Sequence, residues 1–183
     1  MTPRLLEKYR KDIIPQLTKK FGYKNVMAVP KIEKATVNVG FGRQVKEGGD
    51  FGTKVAEALV QITGQKPVLT KAKKSIAGFK LREGQIIGCK VTLRGTRMYD
   101  FIDRLISVAL PRSRDFRGIN LTAIDPKGNL SIGIKEDSIF PEISYETAKE
   151  VFSLEVTITT TADTAEEGEE LLRAIGFPLK SEK

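Results

Sequence analysis

The stretch KAKKSIAGFKLREG, residues 71–84, sets five cations, Lys71, Lys73, Lys74, Lys80 and Arg82, against one carboxylate, Glu83. Ammonium and guanidinium groups at this density suit contact with phosphate oxygens rather than the reading of base edges. Ile76, Phe79 and Leu81 lie among them, available to stiffen the tip of a loop or to pack on a partner. Charge runs are usually just solvated, but solvation would not require three large apolar residues. A second cluster, Arg112, Arg114 and Arg117 in PRSRDFRG, either extends this phosphate-binding surface or is stiffened by pairing with Asp115.

Catalytic chemistry is poorly supplied. The chain has no histidine, which removes every Ser-His or Cys-His mechanism, and its single thiol cannot build a Cys/His zinc site. That thiol, Cys89, shares the apolar phase of a strand with Ile87, Val91 and Leu93 and reads as a small core residue. Gly40-Phe41-Gly42 lacks the third glycine of a dinucleotide fingerprint, and Gly84, Gly88 and Lys90 miss phosphate-loop spacing by one. Two carboxylate pairs, Asp100 with Asp103 and Glu142 with Glu146, are the remaining route to acid–base work; solvated helix or turn positions explain them more simply. No cofactor is expected.

These residues need a scaffold. With 183 residues, 40% of them hydrophobic, the chain is expected to form a single compact domain over residues 1–183. A net charge of +8 and a pI near 9.5 favour a polyanion, either nucleic acid or an acidic membrane surface. The charge is uneven: residues 66–97 carry +8, whereas residues 136–183 carry −8, so the basic half should meet the partner. No apolar run approaches the ~18 residues of a membrane span, and the start lacks the apolar core of a secretory signal, so a soluble, unprocessed chain is expected. One cysteine fits a reducing compartment.

Leu5, Tyr9 and Ile13 recur every four residues and predict a short amphipathic helix that Pro15 should kink or end. Val55, Leu59 and Ile62 predict a helix ending before Gly64, and Met98 to Ala109 another stopped by Pro111. Thr164 with Glu167 forms a capping-box pattern ahead of a helix reaching Gly176. Alternation predicts strands over residues 31–39, 67–70, 86–94, 130–134 and 154–158, each long one with an apolar side and a side rich in Thr, Asn, Lys and Arg. Helices can cover only the apolar side. The expected fold is α+β: a mostly antiparallel sheet with helices packed on one face, the other face open, and a long basic loop between two strands, bent at Gly78 and Gly84.

The segments GQKPVLTKAKKSIAGFKLREG, IGCKVTLRG, RMYDFIDRLISVALPRSRDFRG, GNLSIGIKE and IFPEI, with FGYKNVMAVPKIEK before them and TTTADTAEEGEELLRAIGFP after, closely resemble the bacterial-type large-subunit ribosomal protein family numbered L-five. The resemblance runs nearly end to end. It implies a non-catalytic member of the large subunit that binds 5S ribosomal RNA and helps attach it in the central protuberance, beside large-subunit RNA and other large-subunit proteins. It further implies 5S RNA contacts at Asn38 and Gly40, at Gln65, Lys66 and Thr70, and at Lys90, Thr92 and Arg94. The basic loop (Lys71, Lys73, Lys74, Lys80, Arg82) would reach transfer RNA in the peptidyl site, and the segment Arg112 to Arg117 a small-subunit head protein. The implied location is the ribosome, in a cytoplasm or an organelle. The chain departs from the family at Val151-Phe152-Ser153, where an Arg-Gly pair is usual, and in the Gly-rich GRQVKEGGDFG. The competing readings are an RNA-modifying or RNA-cleaving enzyme that uses carboxylates, and a basic membrane-surface protein.

Overall fold

The computed structural model describes residues 2–42, 51–114, 116–143 and 151–180. Among them four helices accompany five strands. Helix α1 runs as Arg4–Lys8, Tyr9–Ile13 and Ile14–Phe21; α2 is Phe51–Thr63; α3 runs as Gly95–Arg104, Leu105–Ala109 and Leu110–Arg112; α4 is Ala165–Ile175. The strands are β1 (Ile32–Gly40), β2 (Val68–Lys71), β3 (Ile86–Leu93), β4 (Leu130–Ile134) and β5 (Leu154–Thr160). They form one antiparallel sheet in the order β2-β3-β1-β5-β4.

The alternation read from the sequence is the alternation of burial. Ala35, Val37 and Val39, Val91 and Leu93, Leu130 and Ile132, and Val156 and Ile158 are buried. Asn38, Gly40, Lys90, Ser131, Gly133 and Glu155, on the other phase, are exposed. The fold is therefore the expected α+β arrangement with an open sheet face.

Pro15, expected to kink or end its helix, and Pro111, expected to stop one, both sit inside helices. Proline lacks an N–H, and its ring collides with the carbonyl four residues back, so an ordinary α-turn cannot continue through it. In α1 the turn ahead of Pro15, Tyr9–Ile13, widens to π geometry, with the Ile14 N–H donating to the Tyr9 carbonyl. In α3 the turn ahead of Pro111, Leu105–Ala109, does the same, and the Leu110 N–H donates to the Leu105 carbonyl. The wider turn makes room for the ring, and each helix runs on, to Phe21 and to Arg112.

The chain divides into two compact units. The first comprises Met1–Ala35, Leu93–Ile132 and Thr157–Lys183. Here Arg4 grips Asp103 with two donors, at 2.6 and 3.2 Å, joining α1 to α3, and Lys20 pairs with Glu170 at 2.6 Å, joining α1 to α4. Thr164 caps α4 by accepting the Glu167 N–H at 3.3 Å. The Glu167 carboxylate also accepts the Asp163 N–H at 3.1 Å and the Tyr23 hydroxyl.

Burial, then the hydrogen bond to Glu167, raises the Tyr23 phenol, and the same bond holds the Glu167 carboxyl below its usual range. A depressed carboxyl stabilises the fold above its ordinary pKa and loses that contribution as pH falls through the folded value. Tyr23→Phe is therefore expected to cost about 1 kcal/mol at neutral pH, discounted for partial exposure, with the difference vanishing in acid. Thermal unfolding of both forms across pH checks this; curves that stay parallel into acid would show that the bond carries no weight.

The second unit comprises Thr36–Thr92 and Gly133–Val156. Val55, Leu59 and Ile62 of α2 are buried, and the helix closes at Gly64, whose left-handed backbone (φ 67°) lets its N–H reach the Val60 carbonyl at 2.8 Å. Cys89 is wholly buried and its thiol is pushed up to about 11 by that burial, which fits a core side chain. At the departure Val151-Phe152-Ser153, Phe152 is buried and exchanges hydrogen bonds with Asp137: the Phe152 N–H donates to Oδ1 at 3.3 Å, and the Asp137 N–H to the Phe152 carbonyl at 3.2 Å.

Candidate nucleic-acid interface

In the second unit, antiparallel pairing sets Val68 opposite Lys90 and Thr70 opposite Gly88. Residues directly opposed share a face, so Thr70, Gly88 and Lys90, with Thr92 two positions on, belong to the open side. Asn38, Gly40 and Lys90 are exposed there, and Thr70 and Thr92 half-buried. Gly88 had no part in the candidate site on sequence grounds, yet it holds the site together. A Cβ on Gly88 would stand 2.7 Å from the Val39 carbonyl oxygen, 2.8 Å from Thr70 Oγ1 and 3.6 Å from Gly40 Cα. Its bare backbone thus lets Thr70 and the end of β1 close on β3. The available signal was a glycine inside an alternating strand, which marks close approach of a neighbour.

Gln65 and Lys66 precede β2, in the turn that leaves α2. The Thr63 hydroxyl donates to the Leu59 carbonyl at 2.6 Å, and the Gln65 amide N–H donates to Thr63 Oγ1 at 3.3 Å. The Gln65 side chain donates from Nε2 to the Thr92 carbonyl at 3.1 Å. Gln65 therefore latches the turn to β3 and positions its neighbours, while Lys66 stands exposed beside it. Arg94 falls in the first unit, one residue beyond β3, where Nη1 donates to Glu33 Oε1 at 3.1 Å. With both side chains largely exposed, that pair is weak and leaves the guanidinium available to a stronger anion.

The basic segment between β2 and β3 is a paired arm. At its base the Ala72 N–H donates to the Gln85 carbonyl at 2.8 Å and the Gly84 N–H to the Ala72 carbonyl at 3.0 Å. Halfway along, Ser75 Oγ accepts the Glu83 N–H at 2.9 Å. At the tip Ile76 and Leu81 exchange hydrogen bonds at 3.1 and 3.2 Å around the tight turn Ala77–Phe79. Gly84 turns with φ 80°, as expected, but the left-handed residue of the tip is Lys80 (φ 53°), not Gly78. Lys71, Lys73, Lys74, Lys80 and Arg82 are all exposed, and so are Ile76 and Phe79. The arm therefore satisfies many of its backbone groups internally and offers cations and an apolar tip outward.

In the first unit Arg112, Arg114 and Arg117 are exposed. The segment that follows is tied to the C-terminal end, the Ile119 N–H donating to the Pro178 carbonyl at 2.8 Å and the Lys180 N–H to the Ile119 carbonyl at 2.9 Å. Asp115, its possible pairing partner, lies outside the described residues. Of the carboxylate pairs, Asp103 is held by Arg4 and accepts the Ser107 hydroxyl at 3.1 Å, Asp100 is exposed, and Glu146 lies outside the described residues. Among the described residues no group of three or more His, Cys, Asp or Glu side chains could hold a metal ion, and no helix is long and apolar enough to cross a membrane.

Comparison with known proteins agrees over nearly the whole chain. Residues 25–82 match the family described as ribosomal protein L5, and residues 86–179 match the ribosomal L5P family C-terminus. A protein of Syntrophomonas wolfei named large ribosomal subunit protein uL5 is 55% identical over 177 residues, 97% of this chain and 99% of the relative. Proteins of that name from Streptococcus pyogenes and Streptococcus thermophilus are 54% and 53% identical, each over 97% of this chain and 98% of the relative.

Proposed function

Because the chain belongs to the ribosomal protein L5 family, whose members are structural rather than enzymatic parts of the large ribosomal subunit, we propose that its open sheet face binds 5S ribosomal RNA and that its basic arm contacts transfer RNA in the peptidyl site. The observation that carries this reading is the open side of the second unit, where Asn38, Gly40, Thr70, Lys90 and Thr92 stand on strands locked from behind by a buried core. Short hydroxyl and amide side chains can approach 2′-hydroxyls across the wide RNA minor groove, while ammonium groups hold the flanking phosphates. Lys66 borders this face, and Lys66 and Arg94 supply further charge. In the arm, lysines carried on a paired scaffold meet a phosphate backbone with little ordering left to do. The protein would thereby help hold 5S RNA in the central protuberance, beside large-subunit RNA and neighbouring large-subunit proteins, in the cytoplasm of a bacterial cell or in an organelle. Arg112, Arg114 and Arg117 would face a small-subunit head protein.

Filter binding of 5S RNA and of an unrelated duplex at two salt concentrations tests the sheet face. Saturable preference for 5S RNA is expected. Three phosphate contacts, from Lys66, Lys90 and Arg94, would weaken binding by about 30-fold between 50 and 200 mM salt. Equal affinity for both RNAs at matched salt would overturn the reading.

A further inference from the structure

Among the described residues Phe79 is the one exposed aromatic side chain. It stands 59% exposed at the tip of the basic arm, with Ile76 46% exposed three residues before it. The next residue, Lys80, is the one non-glycine among the described residues with a left-handed backbone, at φ 53°. Glycine or asparagine would sit there with less strain, yet the position carries a lysine. Both side chains stand on a braced turn: the Phe79 N–H donates to the Ile76 carbonyl at 3.2 Å and the Lys80 N–H to the Ala77 carbonyl at 3.0 Å. A solvated charge run requires neither an exposed ring nor a strained cation.

Resting on the reading of the arm as a transfer-RNA contact, we propose that its tip takes an unpaired base: the Phe79 ring stacks on the base face, and the Lys80 ammonium holds an adjoining phosphate. In a paired stem the base faces are closed by their neighbours, the major groove is too deep and narrow for a side chain, and the minor groove displays ribose hydroxyls. A ring meets its complement only where a base is unstacked, in a loop or bulge. An apolar pocket in a protein would also have to accommodate Lys71, Lys73, Lys74, Lys80 and Arg82, which face the single Glu83 within the arm. Phosphates of the same RNA strand meet those cations directly. Lysines alone would grip stems and loops alike, so Phe79 is the residue that selects a loop.

The test uses the full chain in ribosomes that hold transfer RNA in the peptidyl site. With a benzophenone amino acid in place of Phe79, irradiation should crosslink the tip to an unpaired nucleotide of that RNA. A crosslink to a stem nucleotide overturns the proposal and leaves the reading of the arm standing; a crosslink to protein alone, or none, overturns both. Phe79→Tyr should release transfer RNA at the parental rate and Phe79→Leu about tenfold faster, equivalent to about 1.4 kcal/mol of lost stacking. Neither should move the unfolding temperature, because the side chain they replace is exposed. Lys80→Gly should raise the unfolding temperature slightly and still speed release by roughly a few-fold, since it relieves strain while removing a phosphate contact. Parental release by Phe79→Leu would show that any apolar side chain serves, and parental release by Lys80→Gly that the strained cation touches nothing; either result overturns the proposal.

Discussion

Alanine at Asn38, Lys90 and Thr92 together is expected to lower affinity for 5S RNA by about 100-fold or more while the protein stays folded. Each side chain offers a hydrogen bond or phosphate contact of about 1–1.5 kcal/mol, and three such losses amount to two to three decades. Asn38 and Lys90 are exposed and Thr92 is only half-buried, so removing them should change stability by no more than about 0.5 kcal/mol each. Replacing Lys73, Lys74 and Arg82 by alanine should leave this affinity within a few-fold of the parent. The arm is self-paired through backbone groups and through Ser75 and Gln85, so loss of its cations has no route into the sheet face. In ribosomes the arm variant should instead release transfer RNA faster from the peptidyl site. Equal loss of 5S RNA binding by the two variants would show that sheet and arm are not separate surfaces.

Gly88→Ala is expected to cost about 3 kcal/mol and to lower the unfolding temperature by roughly 6–12 °C. The added methyl would stand 2.7 Å from a backbone oxygen of β1, which cannot rotate away, and 2.8 Å from the Thr70 hydroxyl, which can. The strands must separate, and separation moves Thr70, Gly40 and Lys90 relative to one another. RNA affinity should therefore fall together with stability. Gly40→Ala is the contrast, because open space surrounds that position; stability should hold or rise slightly while RNA affinity falls. An unfolding temperature for Gly88→Ala within 2 °C of the parent would mean that the close approach of β1 and β3 yields cheaply.

Periodicity in the sequence located the helices and strands because burial of one face is a local pattern: Leu5, Tyr9 and Ile13 repeat with the helix, and Val37 and Val39 with the strand. Charge counting found the arm, and the absence of histidine removed most catalysis before any coordinate was needed. The stop at Pro111 was misread, and the choice left open at Pro15 could not be made, because a π-turn is a choice among backbone hydrogen bonds, made where packing on both sides of the proline keeps the helix going. The bend at the arm tip was assigned to Gly78 because glycine alone adopts left-handed backbone at no cost. Pairing of Ile76 with Leu81 sets the turn one register further on, and Lys80 accepts a strain of about 1 kcal/mol.

By itself, then, the sequence determined the fold class, the polarity of each strand, the cationic arm and the family. Each is carried by side-chain types at local spacing, the only physics a linear string displays. Tertiary structure decided which residues meet. Gln65 became a latch because the Thr92 carbonyl came within reach of its amide. Gly168, a poor choice within a helix, is required because a methyl there would lie 2.2 Å from Gly128. Arg94 met Glu33, 61 residues away in the chain. Contacts between residues far apart in the chain depend on strand register and on distances of tenths of an ångström, and neither is encoded in the period of a pattern.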